Sequence, residues 1–142
     1  MSLLEKIEKK ARRETRYAIT DQMISVILMY VAIGASAAVA ICGFIDKVDR
    51  RYVGVLALIP GFAGLLATTL KFDDRSQWHY EKRDALDALA RRYEYEMPQP
   101  PTPDQTALIS TELTELNEAF NKIWYKKISL DWGWTRGNHK QK

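Results

Sequence analysis

The sequence predicts an all-α membrane protein, a two-helix transmembrane hairpin carrying a cytoplasmic helical hairpin. Three observations predict it. The 142 residues include 21 basic and 18 acidic side chains, yet none of these falls in residues 23–45 or 53–70. Only residues 46–52 separate the two apolar stretches. Beyond residue 72 the apolar positions recur every three or four residues, the period of a helix buried along one side. Five of the seven glycines also lie in or between the ends of the apolar stretches, which argues against a soluble α/β enzyme whose turns would need them.

Taken in order, residues 1–22 form a basic lead. Leu3, Leu4, Ile7 and Ala11 make one side of a short amphipathic helix running toward the membrane. Residues 23–45 follow as transmembrane helix 1, about 34 Å long if helical and so long enough to cross a bilayer. Asp46-Lys47-Val48-Asp49-Arg50-Arg51 and Tyr52 form a short external loop. Transmembrane helix 2, residues 53–70, covers about 27 Å. So short a loop makes the spans antiparallel. Six basic side chains precede the first span and six flank the second within residues 71–92, against three in the loop, so both termini are expected in the cytoplasm. Tyr17, Tyr52 and Trp78 are candidate anchors at headgroup level.

Small residues recur at helix-contact spacing inside the spans. Ala32, Ser36, Ala40 and Gly43 make one stripe; Ala57, Gly61 and Gly64 make another. Such stripes let helix backbones approach closely where lipid removes the hydrophobic drive. They serve equally for packing within one chain or between copies. Ser36, Thr68 and Thr69 are the polar candidates for lining a path through the bilayer, and Pro60-Gly61 is expected to kink or loosen the second helix.

Residues 71–130 are read as the cytoplasmic helical hairpin, with the second span continuing into its first helix. Leu86, Leu89, Tyr93 and Met97 give the apolar stripe of that helix. A Pro-rich connector, 98–103, ends it. Thr102-Pro103-Asp104-Gln105 then starts the next helix with a capping box. Ile109, Leu113, Leu116, Phe120 and Ile123 form its seam, expected to pack back against the first stripe. Residues 131–142 form a basic tail containing Trp132 and Trp134.

The residues offer little for catalysis. His79 and His139 are the only histidines and Cys42 the only cysteine, so neither a multi-cysteine zinc site nor a disulfide framework is possible. His79, near Asp73 and Asp74, makes a poor metal site, and charge runs such as Glu81-Lys82-Arg83-Asp84 read as solvated helix faces. No catalytic residue, metal or cofactor is expected, nor an enzyme. The basic residues sit beside apolar stretches, where a lipid bilayer rather than nucleic acid is the expected partner.

The arrangement resembles the SLATT family. The stretch Leu70-Lys71-Phe72-Asp73-Asp74-Arg75-Ser76-Gln77-Trp78-His79-Tyr80 carries the resemblance, followed by Ala85-Leu86-Asp87-Ala88-Leu89, Tyr93-Glu94-Tyr95 and the helix end near residues 120–124. The resemblance covers about residues 5–125. It implies a two-transmembrane effector of the bacterial inner membrane, in antiphage conflict systems. Such an effector would form pores or disrupt the membrane as a homo-oligomer when a cytoplasmic sensor or a nucleotide-signalling enzyme activates it. No sensor domain is visible in these 142 residues. The rival reading is a membrane-tethered scaffold that recruits a cytoplasmic enzyme through the helical hairpin and tail.

Overall fold

The computed structural model describes residues 2–45, 49–98 and 100–128; residues 46–48 of the loop, Gln99, and the tail with Trp132 and Trp134 lie outside the described residues. Every element among the described residues is helical. Helix α1 runs without interruption over Leu3–Gly43. The Ser2 hydroxyl starts it by accepting from the Glu5 N–H at 3.2 Å. The basic lead and the first apolar span are therefore one rod of 41 residues, about 60 Å long, rather than two segments.

Helix α2, Arg50–Leu70, begins at Asp49, whose carboxylate accepts from the Arg51 N–H at 2.9 Å. It stays α-helical through Pro60. The expected direct continuation into the next helix is broken by one residue. Lys71 adopts the left-handed conformation, φ 50° and ψ 44°, and α3, Phe72–Arg91, starts beyond it. The break is local, since Lys71 N–H still donates to Ala67 C=O and Arg75 N–H to Lys71 C=O. A π-helical turn, Arg92–Glu96, ends this arm.

Helix α4, Pro103–Ile123, starts with the capping box predicted from the sequence. Thr102 Oγ1 accepts from Gln105 N–H at 3.3 Å, and Gln105 Oε1 accepts from Thr102 N–H at 2.9 Å. A second π-helical turn, Trp124–Ile128, follows.

α1 packs along both α2 and α3, and α4 lies against α3 and α1. The part outside the apolar spans is thus a three-helix bundle, not an isolated hairpin. Its core joins Ile7 and Ala11 of α1, Leu86 and Leu89 of α3, and Ile109 and Leu113 of α4, with Tyr93, Met97 and Leu116 packed around them. The expected pairing of the α3 and α4 stripes is present, with α1 inserted as its third wall. Ile123, placed in the seam by its spacing, is 39% exposed, while Trp124 beside it packs against Trp78 of α3.

Two helical runs, α1 and the Arg50–Glu96 run that opens with α2, are long and apolar enough to cross a membrane. Only 6% of the most apolar window of each is buried within the chain, unlike the core helix of a soluble protein. Ile27, Tyr30, Leu58 and Phe62 stand open on the outside.

Candidate functional site

The seam of α1 is Ile7, Ala11, Glu14, Ala18 and Asp21, spaced 4, 3, 4, 3, and all five are buried. Opposite them on α3 stand Ser76, His79, Lys82, Leu86 and Leu89, also buried. The helices are antiparallel, so the interface divides by height. Far from the apolar spans it is aliphatic; next to them it is charged.

The charged half is closely connected. His79 Nδ1 lies 2.7 Å from Glu14 Oε2, and Lys82 Nζ lies 3.1 Å from Glu14 Oε1. An ionised carboxylate only accepts, so Nδ1 carries the hydrogen. One turn nearer the spans, Arg75 reaches Asp21 at 3.3 Å, while His79 Nε2 stands 3.8 Å from Asp21 Oδ2. The Ser76 hydroxyl donates to Ala18 C=O at 3.0 Å, a direct tie made possible by the small side chain at 18. Two polar atoms remain without a hydrogen bond inside this cluster, Asp21 Oδ2 and Arg75 Nε.

Aromatic rings close the site. Trp78 donates from Nε1 to Phe120 C=O at 3.1 Å and meets His79 and Trp124 edge-on at 4.8 Å each. Lys82 Nζ sits 4.7 Å above the Trp78 ring. Trp78 is buried in this cluster, so it does not serve as the interfacial anchor that its position in the sequence suggests; Tyr17 and Tyr52 are exposed. Burial pushes the Glu14 carboxyl up, but hydrogen bonds from His79 and Lys82, with their charges, outweigh it and hold the group below its ordinary value.

This cluster fixes register. A buried ionic network adds little net stability over apolar packing, but any slip of α1 along α3 would strand a charge. Lys82, read from sequence as part of a solvated run, is a core residue, and the partners of His79 are Glu14 and Asp21 rather than Asp73 and Asp74. The available signal was the 4, 3, 4, 3 spacing of the α1 seam, which is hidden when its carboxylates are counted as surface. Among the described residues no group of three His, Cys, Asp or Glu side chains could hold a metal ion.

The small-residue candidates lie elsewhere. Ala35 and Ala63 are the buried residues of the two spans. Ser36, Ala40, Ala57, Gly61, Gly64 and Thr68 are all exposed, on the outside of the hairpin. A Cβ placed on Gly61 or Gly64 meets nothing within 4 Å. The Ser36 and Thr68 hydroxyls donate to carbonyls of their own helices, Ala32 at 2.8 Å and Gly64 at 3.0 Å. Comparison with known proteins finds no match to any family model, curated protein or solved structure.

Proposed function

We propose that this chain crosses a bilayer with α1 and α2, keeps both termini in the cytoplasm, and assembles with copies of itself into an effector that opens or perturbs the membrane. The observation that carries this reading is the outward direction of the small-residue stripes. The hairpin closes on Ala35 and Ala63, leaving Gly61, Gly64, Ala57, Ser36 and Ala40 for contact with a neighbouring hairpin. One hairpin encloses no water path, so permeation needs several copies. Back-bonded Ser36 and Thr68 would line it without charge, giving weak ion selectivity.

The basic flanks support the topology. The resemblance to the SLATT family supplies the proposed setting, a bacterial inner membrane and a conflict system in which a cytoplasmic sensor or nucleotide-signalling enzyme acts on the bundle. The bundle would transmit that signal through the Glu14–His79–Lys82 and Asp21–Arg75 contacts, which link α1 and α3 next to the spans.

Gly61→Leu tests the reading. The added side chain starts in open space within the hairpin, so folding and insertion are expected to survive. Higher oligomers in detergent and dye leakage from cells expressing the protein with its activator are expected to disappear. Leu65→Ile is the control that keeps both. Dye leakage from cells carrying a monomeric Gly61→Leu protein would refute the assembled path. No leakage from the wild type, with recruitment of a cytoplasmic enzyme intact in the variant, would establish the scaffold instead.

A further inference from the structure

The outer faces of the bundle carry opposite charge at matching heights. On α1, Lys6, Lys9, Arg13 and Arg16 lie on the side away from the buried seam and are all exposed. None of the four forms an ion pair among the described residues; Arg12, beside them, pairs with Glu8. On α3, Asp74, Glu81, Asp84 and Asp87 are exposed on the side away from His79, Lys82 and Leu86. Arg83 is shared between Asp84 and Asp87, so the face stays net acidic. Because α1 and α3 meet through their buried seams, these two faces point in opposite directions.

We propose that the basic face of α1 docks on the acidic face of α3 in a second copy of this chain, joining the cytoplasmic bundles head to tail. The height match carries it. Lys82 stands opposite Glu14, and Arg75 opposite Asp21. Glu81 is therefore level with the interval between Arg13 and Arg16. Asp84 is level with the interval between Lys9 and Arg13, and Asp87 with Lys9. A neighbour set beside the first copy at the same height, without tilt or rise, brings Glu81 and Asp84 each between two bases and Asp87 against Lys9. That displacement keeps every copy at one depth in a bilayer, and a head-to-tail contact closes into a ring when its rotation allows.

A lipid surface is the poorer partner for the basic face. Lys6, Lys9 and Arg13 lie about 25, 21 and 15 Å along the helix from the start of the first span. These distances exceed the screening length of about 8 Å at physiological salt.

This inference deepens the assembly reading but does not use the small-residue stripes, so the two fail separately. The test is the size distribution of the full chain in detergent and in lipid nanodiscs. Lys9→Glu with Arg13→Glu makes both faces acidic; Glu81→Lys with Asp84→Lys makes both basic. Each pair variant is expected to shift assembly about tenfold or more toward monomer. Mixing the two variants, or placing all four substitutions in one chain, is expected to restore it. Raising the salt is expected to disperse the wild type.

Pair variants that assemble like the wild type would overturn the proposal. So would a four-substitution chain that stays dispersed with its helix content intact, the result expected if the basic face serves lipid or nucleic acid. Should a reversal impair folding, the neutral pairs Lys9→Gln/Arg13→Gln and Glu81→Gln/Asp84→Asn replace it, and both must weaken assembly. Wild-type assembly without leakage would leave this docking standing while removing the proposed function.

Discussion

At the scale of single residues, the chain concentrates its risk in Glu14. The side chain is 4% exposed and holds two cationic partners, Lys82 and His79 when protonated. Glu14→Ala leaves the Lys82 ammonium buried without a counter-charge, which costs about 3–5 kcal/mol. Glu14→Leu combined with Lys82→Met exchanges the pair for apolar groups of similar size, and most of the thermal midpoint in detergent is expected to return. A double variant no more stable than Glu14→Ala would mean that the ammonium, not the carboxylate, is what the site needs. The pH dependence has a definite sign. The folded state holds the Glu14 carboxyl below its ordinary value of 4.5, so it binds the proton less tightly than the unfolded chain does. Its contribution is complete above about pH 4.5 and is lost as the pH falls through the folded-state value. The groups facing it are His79 and Lys82 on α3, with Asp21 two turns beyond on α1. Wild type and Glu14→Gln are expected to converge in thermal midpoint as the pH is lowered from 5 toward 3. Parallel curves would show that Glu14 titrates alike in both states.

At the scale of elements, the left-handed residue between α2 and α3 decides where α3 points. Lys71 is the only described non-glycine residue with positive φ, and its Nζ donates to Lys127 C=O at 2.8 Å. A side chain in that conformation costs about 1–2 kcal/mol, which a branched Cβ makes worse. Lys71→Gly is therefore expected to change stability little, losing one exposed hydrogen bond while gaining backbone freedom. Lys71→Val is expected to lower the thermal midpoint and open the α1–α3 interface to protease. Equal behaviour of the two would show that the break is carried by Phe72 and its neighbours. This break was not legible in the sequence, where Lys71 continues a helical pattern with no glycine to mark it. The capping box at Thr102 and Gln105 was legible because its chemistry is local. So was the pairing of Leu86 and Leu89 with Ile109 and Leu113, because apolar side chains at seam positions announce themselves. The upper half of the same seam was not. Glu14, Asp21, His79 and Lys82 look like surface residues until a partner 65 residues away in sequence is supplied. The small-residue stripes were found, but spacing alone gives a face and not its neighbour. Only the buried positions of Ala35 and Ala63 show that the stripes point outward.

At the scale of the whole molecule, the described helices make one continuous strut. α1 is shared by the apolar hairpin and the bundle, and α3 is joined to α2 by one residue. The Arg75–Asp21 and Ser76–Ala18 ties sit directly beside that joint. Tilting the bundle therefore moves both spans together, unless these contacts break first. If the proposed topology holds, the bundle and both chain ends share one side of the bilayer, and only residues around 46–52 reach the other. Twelve flanking basic side chains against three in the loop favour this orientation. The margin narrows on removing flank charge. A reporter fused after Lys142 is expected to show cytoplasmic activity, and one inserted beside Asp49 periplasmic activity. Replacing Lys6, Lys9, Lys10, Arg12, Arg13 and Arg16 with Gln leaves the six basic side chains of residues 71–92 flanking the second span, so a majority of molecules is expected to keep the orientation. Adding Lys71→Gln and Arg75→Gln cuts the near flank to little more than the loop, and the two reporters are expected to show mixed activity. Uniform cytoplasmic activity from the end reporter in that last variant would mean that orientation is set by folding of the three-helix bundle rather than by charge. In that case Leu86→Asp, which places an unpaired charge in the bundle core against Ile7 and Ile109, is the change that scrambles it.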